Sequence, residues 1–196
     1  MHTGSQATES AASINALAFT LGRHVVFGAG QYAPDSASGK RLLAHELTHV
    51  VLAEKFATKQ IPRWADEGMA ILSEPVARQA IRRSAMQRAL ARTQRYAAGD
   101  LVALADYPAA DRRDAFYGQS ASLVAFLIER DSPARFLEFL QLGQGQGFDR
   151  ALTEVYKIRS LDELDAQWRP QLIERGQSAE LFAARIARIT AGQAVD

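Results

Sequence analysis

The clearest periodic pattern in the chain is a run of apolar positions in its first third. The positions that carry it are Leu43, Leu47, Val50, Val51 and Phe56. This spacing places them along one side of an α-helix. A loop with helix-capping residues, Tyr32 to Gly39, precedes the run, and the helix-breaking Ile61-Pro62 follows it. The pattern therefore predicts a long helix over residues 38–57.

Upstream of this helix the pattern changes to that of a strand. The segment from His24 to Gly28 combines β-branched and aromatic residues and runs into the turn-forming Gly28-Ala29-Gly30. A short segment at residues 13–22 precedes it. Residues 1–13 are rich in Ser, Thr and Ala and predict a disordered lead-in.

Downstream of Pro62 the apolar spacing is helical throughout. It predicts helices over residues 63–74, 76–97, 115–130, 133–142, 147–157, 160–174 and 178–190, with loops at Gly99 and Tyr107-Pro108 and a flexible joint at residues 143–147. The predicted fold class is α+β, with a small N-terminal β-sheet beside the long helix and a mainly α-helical part after it. We expect a single domain made of the lead-in at 1–13, a strand-bearing part at 14–74 and a helical part at 75–196.

Composition narrows the chemistry available to this fold. The 196 residues include 47% hydrophobic and 23% charged residues, which is ordinary for one folded domain. The net charge of +1 gives no general reason to expect a nucleic acid partner. The chain has no cysteine, so any metal must be held by His and carboxylate side chains. No segment has the length of a membrane span or the pattern of a secretory signal, and we expect a cytoplasmic protein or one exported by a nonclassical route.

The segment His45-Glu46-Leu47-Thr48-His49 lies in the middle of the predicted long helix. Residues four apart share a helix face, so both imidazoles can reach one metal ion, and Glu46, about 100° around the helix, can contact a metal-bound water. A catalytic zinc site uses three protein ligands. The third must be an acid or another His, and Glu67, 18 positions after His49 on the next predicted helix, is the strongest candidate.

These residues resemble two known families. The His-Glu-x-x-His pattern with the segment from Trp64 to Ala70 is similar to the gluzincin metallopeptidases, and the chain onward to Trp168 is similar to their peptidase MA-like family. The resemblance implies a zincin-like fold in which His45, His49 and Glu67 bind Zn²⁺ and Glu46 is the general base and acid. Ile71 departs from the pattern, because some gluzincins carry Asp there. Residues 22–49 closely resemble the metallopeptidase-like domain found with bacterial extracellular contractile injection systems, which implies association with such a system.

Further site residues follow from the resemblance and from their position. Tyr117, just ahead of a long apolar stretch, matches the oxyanion stabiliser of the aminopeptidase-like gluzincins, although a tyrosine that only packs at a helix start fits as well.

Peptide substrates of such enzymes lie along a sheet edge. The residues expected to form that edge are Val25, Val26, Phe27, Gly28 and Ala29, which also fit an ordinary core strand. Asp66 and Glu74 are candidates to orient the histidines, and His24 is expected to be structural.

The predicted helix over 76–97 is rich in arginine and has no acid. Its arginines are Arg78, Arg82, Arg83, Arg88, Arg92 and Arg95. We expect a solvated face that pairs with acids of other helices, while binding of phosphates, a membrane surface or an acidic substrate tail stays open.

The function predicted for the chain is that of a zinc metallopeptidase acting on peptides or proteins. The main alternative is a catalytically silent zinc-binding interaction or effector module.

Overall fold

The computed structural model describes residues 1–14, 16–56, 61–92 and 94–172, and most of these residues are helical. The elements are α1 (Ser5–Ser13), β1 (Ala18–Leu21), β2 (His24–Phe27), α2 (Ala37–Lys55), α3 (Arg63–Leu72), α4 (Val76–Ala91), α5 (Ala98–Ala103), α6 (Arg113–Arg130), α7 (Pro133–Gln146) and α8 (Phe148–Ala151). A 3-10 turn (Ala110–Arg112) precedes α6, a π-helical turn (Leu152–Tyr156) follows α8, and residues 161–172 form α9. The small N-terminal sheet and the helical remainder confirm the α+β prediction.

The sheet and α2 form a small N-terminal layer. β1 and β2 pair antiparallel with Phe19 opposite Val26. Val25 and Phe27 point from the sheet into a small apolar cluster, where Leu42, Leu43 and Val50 of α2 pack against them. The helix begins at Ser36, whose hydroxyl accepts the Gly39 N–H at 2.9 Å and so caps the first turn. The predicted helix is thus confirmed within the described residues, and the sheet fixes its position.

The prediction of a disordered lead-in was wrong. Residues Ser5–Ser13 form α1, whose Ala7 and Ala11 are buried on one face. The N–H of His2 donates to Val25 O at 2.8 Å, and the Phe27 N–H donates to His2 O at 3.0 Å. Alanine favours helices and can be buried without loss of side-chain entropy, so two small residues four apart dock this segment despite its low hydrophobicity.

Three other local predictions differ from the structure. The helix predicted over 76–97 ends at Ala91. The loop expected at Gly99 is part of the short helix α5, and the joint expected at residues 143–147 continues α7 as far as Gln146. Gly143 is needed there for close packing, since a Cβ would lie 2.3 Å from the ring of Phe148. The helix predicted over 178–190 and the end of that over 160–174 lie outside the described residues.

The main core holds α3 against α6. Trp64 and Trp168 are fully buried in it, as expected of core anchors, and the indole N–H of Trp168 donates to Ser122 Oγ at 3.1 Å. Gly68 allows the two helices to approach closely, because a Cβ at this position would lie 2.7 Å from Ser120 O. This packing fixes the face of α3 that carries Glu67. Within the described part of the chain, no helix is long and apolar enough to cross a membrane.

The arginine-rich segment is partly paired with acids, as expected. Arg82 lies 2.8 Å from Glu74, and Arg95 lies 3.2 Å from Asp165 of α9. Burial would raise the pKa of the Asp165 carboxyl, but hydrogen bonds from Arg169 and the Ala98 N–H, together with the charge of Arg95, hold that pKa below its usual value. Asp165 therefore ties α9 to the segment ahead of α5.

Candidate metal centre

Two neighbouring helices bring together the three predicted metal ligands. His45 and His49 lie one turn apart on α2, with ring centroids 5.0 Å apart, and Glu67 lies on α3. One potential ligand atom from each of the three residues lies within 4.8 Å of the others, and His45 Nε2 is 3.8 Å from Glu67 Oε2. Ligand atoms around a tetrahedral zinc ion are roughly 3.3 Å apart at ordinary bond lengths. The group is therefore slightly open but has the size and donor set of a zinc site.

A carboxylate lies behind each histidine. His49 Nδ1 is 2.8 Å from Asp66 Oδ1, and His45 Nδ1 is 3.0 Å from Glu74 Oε1. An acid on Nδ1 orients the ring and leaves Nε2 for a metal. The structure thus brings both candidate orienting residues, Asp66 and Glu74, to the histidines.

These contacts also shift protonation equilibria. Burial would lower the pKa of His49, but the hydrogen bond and charge of Asp66, together with the charges of Glu67 and Glu46, outweigh burial and raise the pKa. Burial would raise the pKa of Glu74, but His45 and Arg82 together lower it to about 2. Glu74 is therefore an anion when it faces His45.

Glu46 is a buried carboxylate next to the ligand group without being part of it. The residue is 5% exposed and lines the same cleft as His45 and His49. The hydroxyl of Thr20 on β1 donates to Glu46 Oε2 at 2.7 Å. Its Oε1 atom has no hydrogen-bond partner among the residues that the structure describes. Thr20 thus holds one oxygen of this carboxylate in place.

Two tyrosines lie on the α6 side of the centre. The hydroxyl of Tyr107 donates a short hydrogen bond to Glu67 Oε1, and the guanidinium of Arg63 stacks 4.5 Å from the centroid of the Tyr107 ring. The ring of Tyr117 is 6.3 Å from that of Tyr107 and lines the same cleft. Burial, and then the charge of Glu67, raise the pKa of Tyr117, so its hydroxyl keeps its proton at neutral pH. Sequence reasoning treated Tyr107 only as part of a loop, and no motif marks its contact with Glu67.

The group opens into a cleft of about 1110 Å³. Its walls include residues 16–20, so the sheet edge beside the centre belongs to β1. The expected edge, Val25, Val26, Phe27, Gly28 and Ala29, does not line this cleft and must be corrected. The physical reason is that β2 lies between two neighbours, with β1 on one side and the hydrogen bonds of His2 on the other.

His24 lies away from the ligand group. Its Nδ1 atom is 3.0 Å from His2 Nε2, and neither ring lines the cleft. This contact fits the structural role expected for His24.

Comparison with known proteins supports the same class of site at a coarse level. Residues 1–55 match the family model of the eCIS core domain, the metallopeptidase-like domain of extracellular contractile injection systems. The match covers α1, the sheet and α2, including His45, Glu46 and His49, and it ends before Glu67. No curated protein and no solved structure matches the chain. The family match suggests a metallopeptidase-like module and fits association with a contractile injection system.

Proposed function

We propose that this protein is a zinc-dependent metallopeptidase of the gluzincin type that hydrolyses peptide bonds. One observation carries the proposal: a three-residue ligand group stands in an open cleft beside a buried carboxylate, Glu46, that is not part of the group. A purely structural metal site needs neither an open cleft nor a base beside the ligands.

The chemistry divides among a few residues. His45, His49 and Glu67 would hold the zinc ion, which lowers the pKa of a bound water and polarises the scissile carbonyl. Glu46 would accept a proton from the attacking water and deliver it to the nitrogen of the leaving amine. The Thr20 hydroxyl fixes Oε2 of Glu46, so Oε1 is the atom available for this proton.

Tyr117 is the donor that we assign to the oxyanion of the reaction. The hydroxyl of Tyr107 is already engaged with Glu67, whereas that of Tyr117 has no acceptor among the described residues. A protonated hydroxyl in the cleft can donate to the negative charge that develops on the carbonyl oxygen. Tyr107 would therefore position Glu67, and Tyr117 would be the catalytic residue that donates to the oxyanion.

The substrate would lie along β1. The hydrogen bonds of β2 to His2 use Val25 O and the Phe27 N–H, so Val26 faces β1 and pairs with Phe19. Strand alternation then turns the backbone groups of Ala18 and Thr20 away from β2, toward the open edge. A peptide added at this edge would bind through main-chain hydrogen bonds and place its carbonyl beside Glu46.

The experiment is cleavage of an unbiased peptide mixture by the zinc-loaded chain, read by mass spectrometry, with bound zinc measured in parallel. Glu46→Gln should retain zinc and lose activity by about a hundredfold or more. Glu54→Gln is the matched control, because Glu54 lies on the same helix and pairs with Arg23 at the surface. Zinc binding without cleavage would favour the silent module, and absence of zinc binding would contradict the proposal.

A further inference from the structure

Three arginines line the cleft around Tyr117. They are Arg63 at the start of α3, Arg82 on α4 and Arg113 at the start of α6. All three act on the electrostatics of the Tyr117 hydroxyl, whose pKa they lower against the larger effects of burial and Glu67. Three helices therefore converge with positive charge on one residue of the proposed site.

Most of this charge is not neutralised by the protein. Arg82 pairs with Glu74, but Arg63 and Arg113 contact no carboxylate among the described residues. Arg63 stacks on Tyr107, and its Nε is buried without an acceptor in the described part of the chain. Arg113 is exposed and donates only a long hydrogen bond to Pro108 O at 3.5 Å. Both guanidinium groups are therefore available to donate hydrogen bonds to an anionic partner.

The acids that line the cleft have other tasks. Glu67 belongs to the ligand group, Asp66 contacts His49, and Glu46 is held by Thr20. A divalent ion in the ligand group would add further positive charge. The three acids and three arginines of the cleft balance in number, so a divalent ion bound by the ligand group would leave Arg63 and Arg113 as positive charges without a carboxylate partner within the residues that the structure describes.

A second, smaller recess extends this region. It has a volume of about 150 Å³ and shares Arg82 and Tyr117 with the main cleft. Arg78 and Asp114 also line it, so one further arginine faces one acid. The recess gives room for a side chain beyond Tyr117.

We infer that Arg63 and Arg113 form a subsite that binds a carboxylate of the substrate peptide next to the scissile bond. The inference rests on the proposed peptidase function and names its substrate class. The carboxylate can belong to an Asp or Glu side chain or to a free C-terminus, because a guanidinium recognises both alike. Arg113 is the better residue for a test, since Arg63 also supports Tyr107.

The cleavage test compares matched short peptides that carry Glu or Gln beside the cut site, each with a free or an amidated C-terminus. Wild-type protein should favour a carboxylate by about tenfold in kcat/KM. Arg113→Gln should lose most of that preference, measured as the ratio of kcat/KM for the Glu and Gln peptides, and Arg113→Lys should keep part of it. Arg88→Gln is the matched control, because Arg88 is exposed on α4 and lines neither recess. Equal cleavage of peptides with and without the carboxylate, at both the side chain and the C-terminus, or a preference that survives Arg113→Gln, would overturn the inference.

A binding measurement separates this inference from the proposed function. The probe is a fluorescent peptide with Glu or Gln at one position and a free or an amidated C-terminus, titrated into the Glu46→Gln protein with zinc, so turnover is not needed. Tighter binding of the Glu peptide that disappears with Arg113→Gln supports the subsite even if no peptide is cleaved. Equal binding of the peptides with and without each carboxylate, or no binding of any of them, refutes it even if the enzyme is active.

Discussion

The contact between Tyr107 and Glu67 leads to a sharp prediction for Tyr107→Phe. This substitution removes one oxygen and keeps the ring on which Arg63 stacks. Glu67 is 6% exposed, so an oxygen that loses this donor is only partly compensated by water. The carboxylate would then be held less firmly in the orientation that places its other oxygen 3.8 Å from His45 Nε2. We expect a weaker metal site in a protein that still folds.

The size of the effect follows from the type of bond. A hydrogen bond to a charged group contributes about 1.5 to 3 kcal/mol, and Tyr107 is 42% exposed as a residue, which favours the lower end. A loss of about 1.4 kcal/mol is a tenfold change in a dissociation constant. Removal of a group that orients a metal ligand typically costs about 10- to 100-fold in affinity. Zinc affinity should therefore fall by about tenfold.

The assay is zinc competition against a chromophoric chelator at fixed pH and ionic strength, with urea unfolding of the zinc-free protein as a check on the fold. Tyr117→Phe is the matched control, since it removes the same atom from a neighbouring ring that has no hydrogen bond to Glu67 among the described residues. It should leave zinc affinity unchanged and lower kcat by about a hundredfold if Tyr117 stabilises the oxyanion. Equal zinc affinity of Tyr107→Phe and wild type, or equal weakening by both substitutions, would refute the assignment of roles.

Two further predictions concern the scaffold. Gly68→Ala should destabilise the fold by about 2 kcal/mol in urea unfolding, because the added Cβ would meet Ser120 O at 2.7 Å, whereas Gly99→Ala, with its nearest atom at 3.9 Å, should be neutral. Asp165→Asn should cost about 2 kcal/mol at neutral pH. The folded-state pKa of Asp165 is lowered, so its stabilisation is present above the unfolded pKa and is lost as pH falls through the folded one. Wild type should therefore lose more stability than Asp165→Asn between neutral and acidic pH, and parallel curves would contradict this account.

The local part of the candidate site could be predicted from the sequence because it depends on one helix. The four-residue spacing of His45 and His49 sets their common face in any α-helix, and the apolar pattern shows where that helix lies. Glu67 could be proposed because a short break ahead of a second helix allows it to fold back. The partners of Asp66 and Glu74 could not be assigned, since these contacts depend on how α3 and the residues after it cross α2.

The parts that sequence reasoning missed are set by contacts between distant segments. The edge was assigned to β2 because that segment has the stronger strand pattern, but His2 covers one side of β2 and leaves β1 at the cleft. Tyr107 reaches Glu67 across 40 positions, from a segment with no periodic pattern. Helix α1 depends on two buried alanines in a polar stretch. In each case the deciding interaction has no short-range signature.

The helical part of the chain is needed to build the site. The segment that matches the eCIS core domain supplies the two histidines and Glu46, but it ends before the third candidate ligand and before both carboxylates that contact the histidines. These acids lie on α3 or just after it, and α3 is fixed by its close packing on α6 through Gly68. The donors to Glu67 and Glu74, Tyr107 and Arg82, also come from the later part of the chain. The N-terminal segment therefore carries the proposed base and two of the three candidate ligands, and the helical part supplies the third candidate ligand and sets the geometry of the group.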